Sequence, residues 1–305
     1  MYRISKEHII YAMSKENRPC LQVQAGSKIV FETYDCFENQ INFEDVVAFQ
    51  ELDMNRINPA TGPVYIEDTE PGDILAVTIE EIKIAEQGVL TTGPNLGVMG
   101  NEIQENMVKL VTIRNQHVIF SNELHIPINP MIGVIGTAPQ KGRISCGTPH
   151  DHGGNMDCKE IKEGTTLLLP VNVPGALLAL GDLHAAMGDG EIGVSGVEVA
   201  GEVTVTVNVI KEKQWPLPMA IQKERIITIA SEELLDDAAN RAVSNMVSFL
   251  IEELQLAKAD ASLLLSAAGN LRVCQVVNPL KTARMELGMV YVSQLGFSLC
   301  EYINK

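Results

Sequence analysis

Period-two alternation is clearest at 197–210, "VEVAGEVTVTVNVI". Val197, Val199, Val203, Val205, Val207 and Val209 share one parity, and Glu198, Glu202, Thr204, Thr206 and Asn208 share the other. A pleated strand sends alternate side chains to opposite faces, so this spacing predicts a strand with one dry face and one wet face. Shorter runs rich in Val, Ile, Leu and Thr lie at 28–33, 74–82, 109–113, 165–171 and 176–180, bounded by Gly, Pro or Asn. Many such strands and few helices predict a mainly β protein with an antiparallel sandwich or jelly-roll-like core. The runs 165–171 and 176–182 are expected to pair as a hairpin. An echo between "PGDILAV" (71–77) and "PGALLAL" (174–180) places Pro-Gly at the centre of a type II turn before each strand. It suggests pseudo-duplicated sheets, although a match this short also arises by chance.

The spacing changes near 231. In "SEELLDDAANRAVSNMVSFLIEEL" (231–254), Leu235, Ala239, Ala242, Met246, Val247, Leu250 and Leu254 recur at three- or four-residue steps. That predicts an amphipathic helix with Ser231 as its N-cap. A short helix over 261–269 follows Asp260 as cap and stops at Gly269, and "LRVCQVV" then reads as a strand ended by "NP". The chain thus reads as a β-rich region, 1–213, followed by an α/β portion, 214–305. The boundary falls in "QWPLP" (214–218), or else the whole is one compact unit. The tail, 288–305, carries Val290, Val292, Leu295, Phe297 and Leu299, which predicts docking on its own core or on a neighbouring subunit.

Composition narrows the function classes. The 305 residues are 46% hydrophobic, enough for a large core. A net charge of −16 repels a phosphate backbone and anionic lipid, so neither nucleic acid nor a membrane surface is an expected partner. The most apolar stretch, 167–180, is cut by Pro170, Asn172 and Pro174 and predicts no membrane span. The N-terminus has no apolar run of signal-peptide length. Six cysteines are scattered without a C-x-x-C pair, which fits reduced thiols and a cytoplasmic setting.

Candidate chemistry concentrates in three stretches. In "ALGDLHAAMGDGE" (179–191), an extended 176–182 points Asp182 and His184 to one side, where carboxylate and imidazole could meet one divalent cation. Gly188 and Gly190 allow a return that brings Asp189 and Glu191 back to the same place. The plainer reading makes the aspartates turn caps and His184 a satisfied polar residue. The second stretch, "TPHDHGGNMDCKEI" (148–161), packs His150, Asp151, His152, Asn155 and Asp157 around Gly153 and Gly154, and is either a solvated loop or part of the same site. The hairpin would carry both clusters to one edge of a sheet. In the third, "FETYDCFENQI" (31–41), Asp35 and Cys36 follow a strand directly, and turn capping is the default role for Asp35. A thiol nucleophile would need a base beside it and a third orienting group, with His150 or His152 serving Cys146 or Cys158. G-x-x-x-x-G-K-[ST], H-E-x-x-H and G-x-S-x-G are absent. "GPNLGVMGNE" (93–102) reads as a loop, either ordinary turns or a lid.

The run "GDLHAAMGDGEIGVSGVEVAGEVTVTV" (181–207) is similar to the signature of the acetamidase/formamidase family. "FETYDCFENQI", "NPATGPVYIEDTEPGDILAVTI", "IPINPMIGVIGTAP", "HGGNMDCKEI", "LLLPVNVPGALLALGDLHAAMGDGE" and "LLLSAAGNLRVCQVVNP" extend the resemblance over most of the chain in register. It implies hydrolysis of a short aliphatic amide, a CUB-like β-sandwich with an added α/β part, and a homo-oligomer. The family's F-E-T-x-D aspartate falls on Asp35, its G-G-N-x-D aspartate on Asp157, its G-D-x-H pair on Asp182 and His184, and its G-x-G-E glutamate on Glu191. Met187 and the Glu38–Asn39 pair depart from the pattern, and His152 is no fixed part of it. A small neutral amide is a poor electrophile, which a bound divalent cation remedies. Asp157, Asp182 and His184 are the expected ligands, with Asp35 or His150 as additions. Glu191 is then the general base, and Gly153 and Gly154 donate to the oxyanion. The mixed N/O set favours zinc, with calcium as an additional ion. A thiol amidase using Cys146 or Cys158 is the first rival, and a non-enzymatic, calcium-dependent binding sandwich is the rival that is not an enzyme.

Overall fold

The computed structural model describes residues 1–41 and 52–303. Two large sheets face each other. A long strand of the first, Gly201–Ile210, pairs antiparallel with Lys28–Thr33 on one side and Ile74–Ile84 on the other. Beyond Ile74–Ile84 the sheet continues through Thr166–Pro170, Met219–Ile221, Arg225–Glu232, Lys281–Gly288 and Asn270–Gln275. Strands from both sides of 214–218 therefore share one sheet.

That sheet is covered on both faces in its middle. Leu75, Val77, Leu167, Leu169, Val203 and Val205 meet Ile132, Ile135, Leu178, Leu180 and Leu183 of the second sheet in the main core. Ile74, Ala76 and Leu168 point the other way, into a second core with Met219, Ile226, Met285 and the buried Ala242, Met246, Phe249 and Leu250 of the helix Leu235–Leu254. This is why 74–77 and 167–169 read as unbroken apolar runs, since a strand buried on both faces has no wet parity. The result is a mainly β sandwich with a small C-terminal helical layer, as the sequence pattern predicts. The tail docks on its own chain, with Val292 and Phe297 buried in the second core, while Val290 and Leu295 stay exposed.

Five local expectations change. Thr166–Pro170 and Leu178–His184 are not a hairpin: the first belongs to the nine-stranded sheet and the second to the eleven-stranded one, so the connection crosses the sandwich. Ala176 and Leu177 form the turn at φ 56° and 61°, so the strand starts two residues late. The 197–210 run also changes sheet, with Glu198–Val199 in the second, Gly201–Ile210 in the first and Ala200 between them. Finally, Ser231 lies within the strand Arg225–Glu232 and bonds Thr282 Oγ1 (2.9 Å), so the long helix begins at Leu235 without a side-chain cap. Asp260 likewise lies in the first turn of Lys258–Ala268, not at its cap. Gly72 (φ 101°) and Gly175 (φ 81°) take the left-handed conformation that the third position of a type II turn requires.

Candidate active site

One strand, Met131–Gly136, assembles the site. Gly153–Asn155 pairs along one of its edges and Leu178–His184 along the other, so the 148–161 and 179–191 stretches flank it. The register runs Ile132 to Leu183 and then Val134 to Gly181, leaving Asp182 opposite Gly133 outside the regular ladder. Asp182 sits at φ 55°, Asp157 at 41° and Glu191 at 50°. Each left-handed non-glycine residue costs on the order of 1–3 kcal/mol, and such strain collects where function over-determines the backbone. Gly133 makes the approach possible: a Cβ there would stand 2.5 Å from Asp157 Oδ1 and 2.7 Å from Asp182 Oδ2.

The donors converge on His184. Its Nε2 lies 3.2 Å from Glu198 Oε1, 3.6 Å from Asp182 Oδ1, and 3.9 Å from both Asp157 Oδ1 and Glu191 Oε1. All five side chains are buried. Asp157, His184 and Glu191 offer ligand atoms within 4.8 Å of one another, and so do Cys36, Asp182 and Glu198. Among the described residues, Asp157 Oδ1, Asp182 Oδ1, Glu191 Oε2 and Glu198 Oε2 have no hydrogen-bond partner.

The electrostatics follow from that crowding. Burial, then the charge of Asp182, pushes Asp157 up to about 6. Glu198 is pushed up to about 8, by burial first and Asp182 next, against His184. Burial and Asp157 raise Glu191 well above the ordinary carboxylate range. Burial opposes protonation of His184, but Glu198 and Asp182 outweigh it and hold the imidazole well above its usual value. Four buried carboxylates around one imidazole are under-neutralised. Unpaired buried oxygens next to nitrogen and sulfur donors form a set whose chemistry would fit a divalent cation.

The supports are specific. Asn278 Nδ2 donates to Asp157 Oδ2 (2.6 Å) and to the Asn155 carbonyl (3.0 Å). Buried Arg284 grips both oxygens of Asp189 (2.8 and 3.1 Å) and bonds Glu286 Oε1 (2.7 Å), pinning the loop that delivers Glu191. Gly190 N–H donates to the Cys274 carbonyl, tying the same loop to the first sheet. Above the donors opens a cavity of about 280 Å³ whose lining includes Cys36, Asn155, Asp182, Glu191, Glu198 and Asn278. Leu96, from the 93–102 loop, closes one side, and Val98 N–H donates to the Ile192 carbonyl (2.9 Å).

Asp157, Asp182, His184 and Glu191 thus come together, with Asn155 on the cavity wall. Other expected members do not. Asp35 Oδ1 accepts from the N–H groups of Phe37 (2.9 Å) and Asn39 (2.7 Å), so it holds the turn that presents Cys36. His150 is exposed and faces Asp151. His152 is buried away from the cavity lining, and burial pushes its pKa down to about 4. Gly153 N–H is already given to the His150 carbonyl (3.0 Å) and Gly154 is laddered opposite Ile135, so these glycines serve close packing rather than an oxyanion. Asp189 is taken by Arg284. Cys146 sits among Met13, Ala60, Val134 and Ala179, with burial driving its thiol to about 12, and Cys158 lies in the main core. Neither lines the cavity, so the thiol-nucleophile alternative loses its geometry.

Glu198, Gly133, Asn278 and Arg284 are additions that sequence reasoning missed, and Cys36 was flagged as a thiol but not as a donor. Glu198 read as one more position on a wet face, and Asn278 as the polar end of a strand. Only the break at Ala200 distinguishes Glu198, and a small residue gives little sign of a change of sheet.

Comparison with known proteins agrees with this layout. Residues 13–145 and 140–280 match the description "Acetamidase/Formamidase family". An acetamidase of Bacillus halodurans is 51% identical, superposes with a TM-score of 0.95, and covers 97% of this chain and 100% of its own. A recombinant protein of Thermoanaerobacter tengcongensis, predicted to be an acetamidase/formamidase, is 48% identical with a TM-score of 0.94, over 97% of this chain and 98% of its own. A formamidase of Methylophilus methylotrophus is 25% identical over 62% of this chain, and the match spans 61% of that relative's length. With such a match over most of its length, the chain belongs to the acetamidase/formamidase family.

Proposed function

We propose that this protein hydrolyses a short aliphatic amide to a carboxylate and ammonia. The observation that carries the reading is the meeting of Asp157 and His184 with Glu191, which lines a cavity of about 280 Å³, with buried carboxylate oxygens left unpaired. A cavity of that size admits a short aliphatic amide. The names of the relatives, acetamidase and formamidase, point to the same substrates.

Asp157, His184 and Glu191 would hold a divalent cation, and the imidazole favours zinc over calcium. When bound, such an ion polarises an amide carbonyl and acidifies water. The chain's own residues do the rest. Glu191, which lines the cavity, would take a proton from the attacking water and return it to the leaving nitrogen. Asn278 fixes Asp157, and Asn155 offers a buried amide on the cavity wall whose Oδ1 has no partner among the described residues. Leu96 and Val194 narrow the cavity and limit bulk water. Six free cysteines fit a reducing, cytoplasmic setting. Among the described residues no helix is long and apolar enough to cross a membrane.

The test is ammonia release from formamide and acetamide by protein as purified, after chelation, and after zinc is restored. The expected result is turnover that is lost with the chelator and recovered with zinc. No ammonia from either amide in zinc-loaded protein overturns the hydrolase reading. Undiminished turnover in metal-free protein overturns the cation.

A further inference from the structure

Among the described residues, four side chains that line the cavity carry a buried oxygen without a hydrogen-bond partner: Asn155, Asp182, Glu191 and Glu198. Three are acids of the cluster around His184. The fourth is neutral, and the cluster gives no account of it. A buried carbonyl oxygen left unpaired is destabilising unless something donates to it. Polar neighbours on the same lining are already engaged. Ser195 Oγ accepts from Thr91 N–H (2.9 Å) and donates to the Thr91 carbonyl (3.2 Å). Ser145 Oγ accepts from Gly147 N–H (3.3 Å). Asn278 Nδ2 donates to Asp157 Oδ2 (2.6 Å) and to the Asn155 carbonyl (3.0 Å). That one amide therefore locks Asn155 and Asp157 in a single register. Asn155 is further held by its strand, opposite Val134 in an antiparallel ladder. The free acceptor thus sits on rigid backbone, two residues from the site's Asp157.

We propose that Asn155 Oδ1 accepts a hydrogen bond from the substrate's carboxamide N–H, and that it thereby selects primary amides over esters and ketones. This rests on the hydrolase reading above and names the feature of the substrate that the cavity reads. A carboxamide offers one carbonyl and two N–H donors. An ester or ketone of the same shape offers no donor, so its binding would leave Oδ1 buried and unpaired. Sites built to bond a substrate N–H or O–H reject analogues that lack it far more strongly than an apolar pocket rejects a changed methyl group. The same oxygen serves the reaction. The oxygen of water bonds to the carbonyl carbon, and its proton passes through Glu191 to the amide nitrogen. That nitrogen is then cationic, and its hydrogen bond to Oδ1 becomes charge-assisted, roughly twice as strong as a neutral one. The C–N bond breaks with its electron pair on nitrogen, which leaves as ammonia. The carboxylate left behind has only acceptors, so Oδ1 repels it and favours its release.

The experiment compares full-length, zinc-supplemented parent protein with Asn155→Leu, which keeps the size of the side chain and removes the acceptor. Two probes are used. Acetamide is followed by ammonia release. Acetone, in which a methyl group replaces the NH2, is followed as a competitive inhibitor of that release. In Asn155→Leu, kcat/KM for acetamide should fall by about 10–100-fold, the loss of one hydrogen bond to a charged group. Acetone should bind at least about fivefold more tightly to the variant than to the parent, because no buried acceptor is then left unpaired. Zinc bound per chain should be the same in both. If Asn155→Leu fails to fold, Asn155→Ala removes the same oxygen and carries the same expectations. Acetone binding that is unchanged or weakened in the variant overturns the proposal, since a merely structural or oxyanion-binding Asn155 would weaken both probes together. Undiminished acetamide turnover, or a loss of bound zinc, overturns it as well. In each of these outcomes the parent protein still releases ammonia and the hydrolase reading stands. No ammonia from the parent protein removes that reading instead.

Discussion

Gly133 stands where any side chain would displace two carboxylates. In Gly133→Ala the new Cβ lands 2.5 Å from Asp157 Oδ1 and 2.7 Å from Asp182 Oδ2. Overpacking of this kind costs about 1–3 kcal/mol, so the fold should survive. Cation affinity should not, and a loss of about tenfold or more by calorimetry, with an unchanged far-ultraviolet circular dichroism spectrum, is the expected outcome. Titration at the same residues gives a second prediction. In ion-free protein Asp157 is pushed up to about 6 and Glu198 to about 8, above their unfolded values. A raised carboxylate binds its proton more tightly when folded, so its stabilisation is present at low pH and lost as pH rises through the folded pKa. Ion-free protein should therefore melt at lower temperature at pH 8 than at pH 6. Zinc-loaded protein should show the reverse trend, because protons compete with the ion. Melting curves with and without chelator check both signs. Asp157, Asp182, His184 and Glu191 were legible in the sequence because charge beside glycine at the end of an apolar run needs a reason. Glu198 was not, since a glutamate on alternating parity needs none.

At the scale of elements, convergence of the two polar stretches was foreseen, but by the wrong route. A hairpin of 165–171 with 176–182 would have brought them together. In fact the Met131–Gly136 strand intervenes and pairs with both. Apolar runs of equal quality cannot show which sheet they join, because pairing is decided by long-range packing that local period does not encode. The loop that carries Glu191 depends on another distant element. Arg284, on the strand Lys281–Gly288, holds Asp189 with two hydrogen bonds while its Nε serves Glu286. It is a positioning residue. Arg284→Met leaves Asp189 to Lys159 alone (3.1 Å) and Glu286 to Arg225 alone (3.0 Å), and removing one partner of a fully buried pair costs about 3–5 kcal/mol, an upper bound for these partly exposed ones. Arg284→Lys keeps the charge but loses the fork. The expected split is a lower melting point in both variants, worse in the methionine one. Chemical turnover should fall more than KM rises, because Glu191 would be displaced while the cavity wall at Asn155 stays. Steady-state kinetics on acetamide read that split; equal loss in KM alone would assign Arg284 to substrate binding instead.

The whole molecule divides its labour across one sheet. The site lies on the sandwich side, and the helix Leu235–Leu254 lies on the opposite face with its own core. That second core ends in an aromatic group: Trp215 meets Phe249 edge-on at 5.5 Å, Phe297 at 5.8 Å and Tyr302 at 5.1 Å. Glu253 locks it, accepting from Trp215 Nε1 (2.8 Å), Lys213 Nζ (2.8 Å) and the Tyr302 hydroxyl. The segment 214–218, which looked like a boundary in sequence, thus stitches the layers together, because its proline and tryptophan content marks an aromatic anchor as readily as a linker. Phe249→Ala should cost about 3–5 kcal/mol by the general measure for buried aromatics. Its metal count and its turnover at low temperature should stay those of the parent protein, since no residue of the site belongs to that core. Glu253 adds a pH signature. Burial raises its pKa, but Lys213, Tyr302 and Trp215 outweigh burial and lower it below the ordinary value of about 4.3. A depressed carboxylate stabilises above its unfolded pKa, and that stability is lost as pH falls through the folded value. Glu253→Gln should therefore melt earlier than the parent protein at pH 7, by an amount equivalent to about 1–2 kcal/mol for hydrogen bonds to a charged group. The gap should close below about pH 4. A gap that persists in acid would mean that the carboxylate's shape, not its charge, holds the tail to the helix.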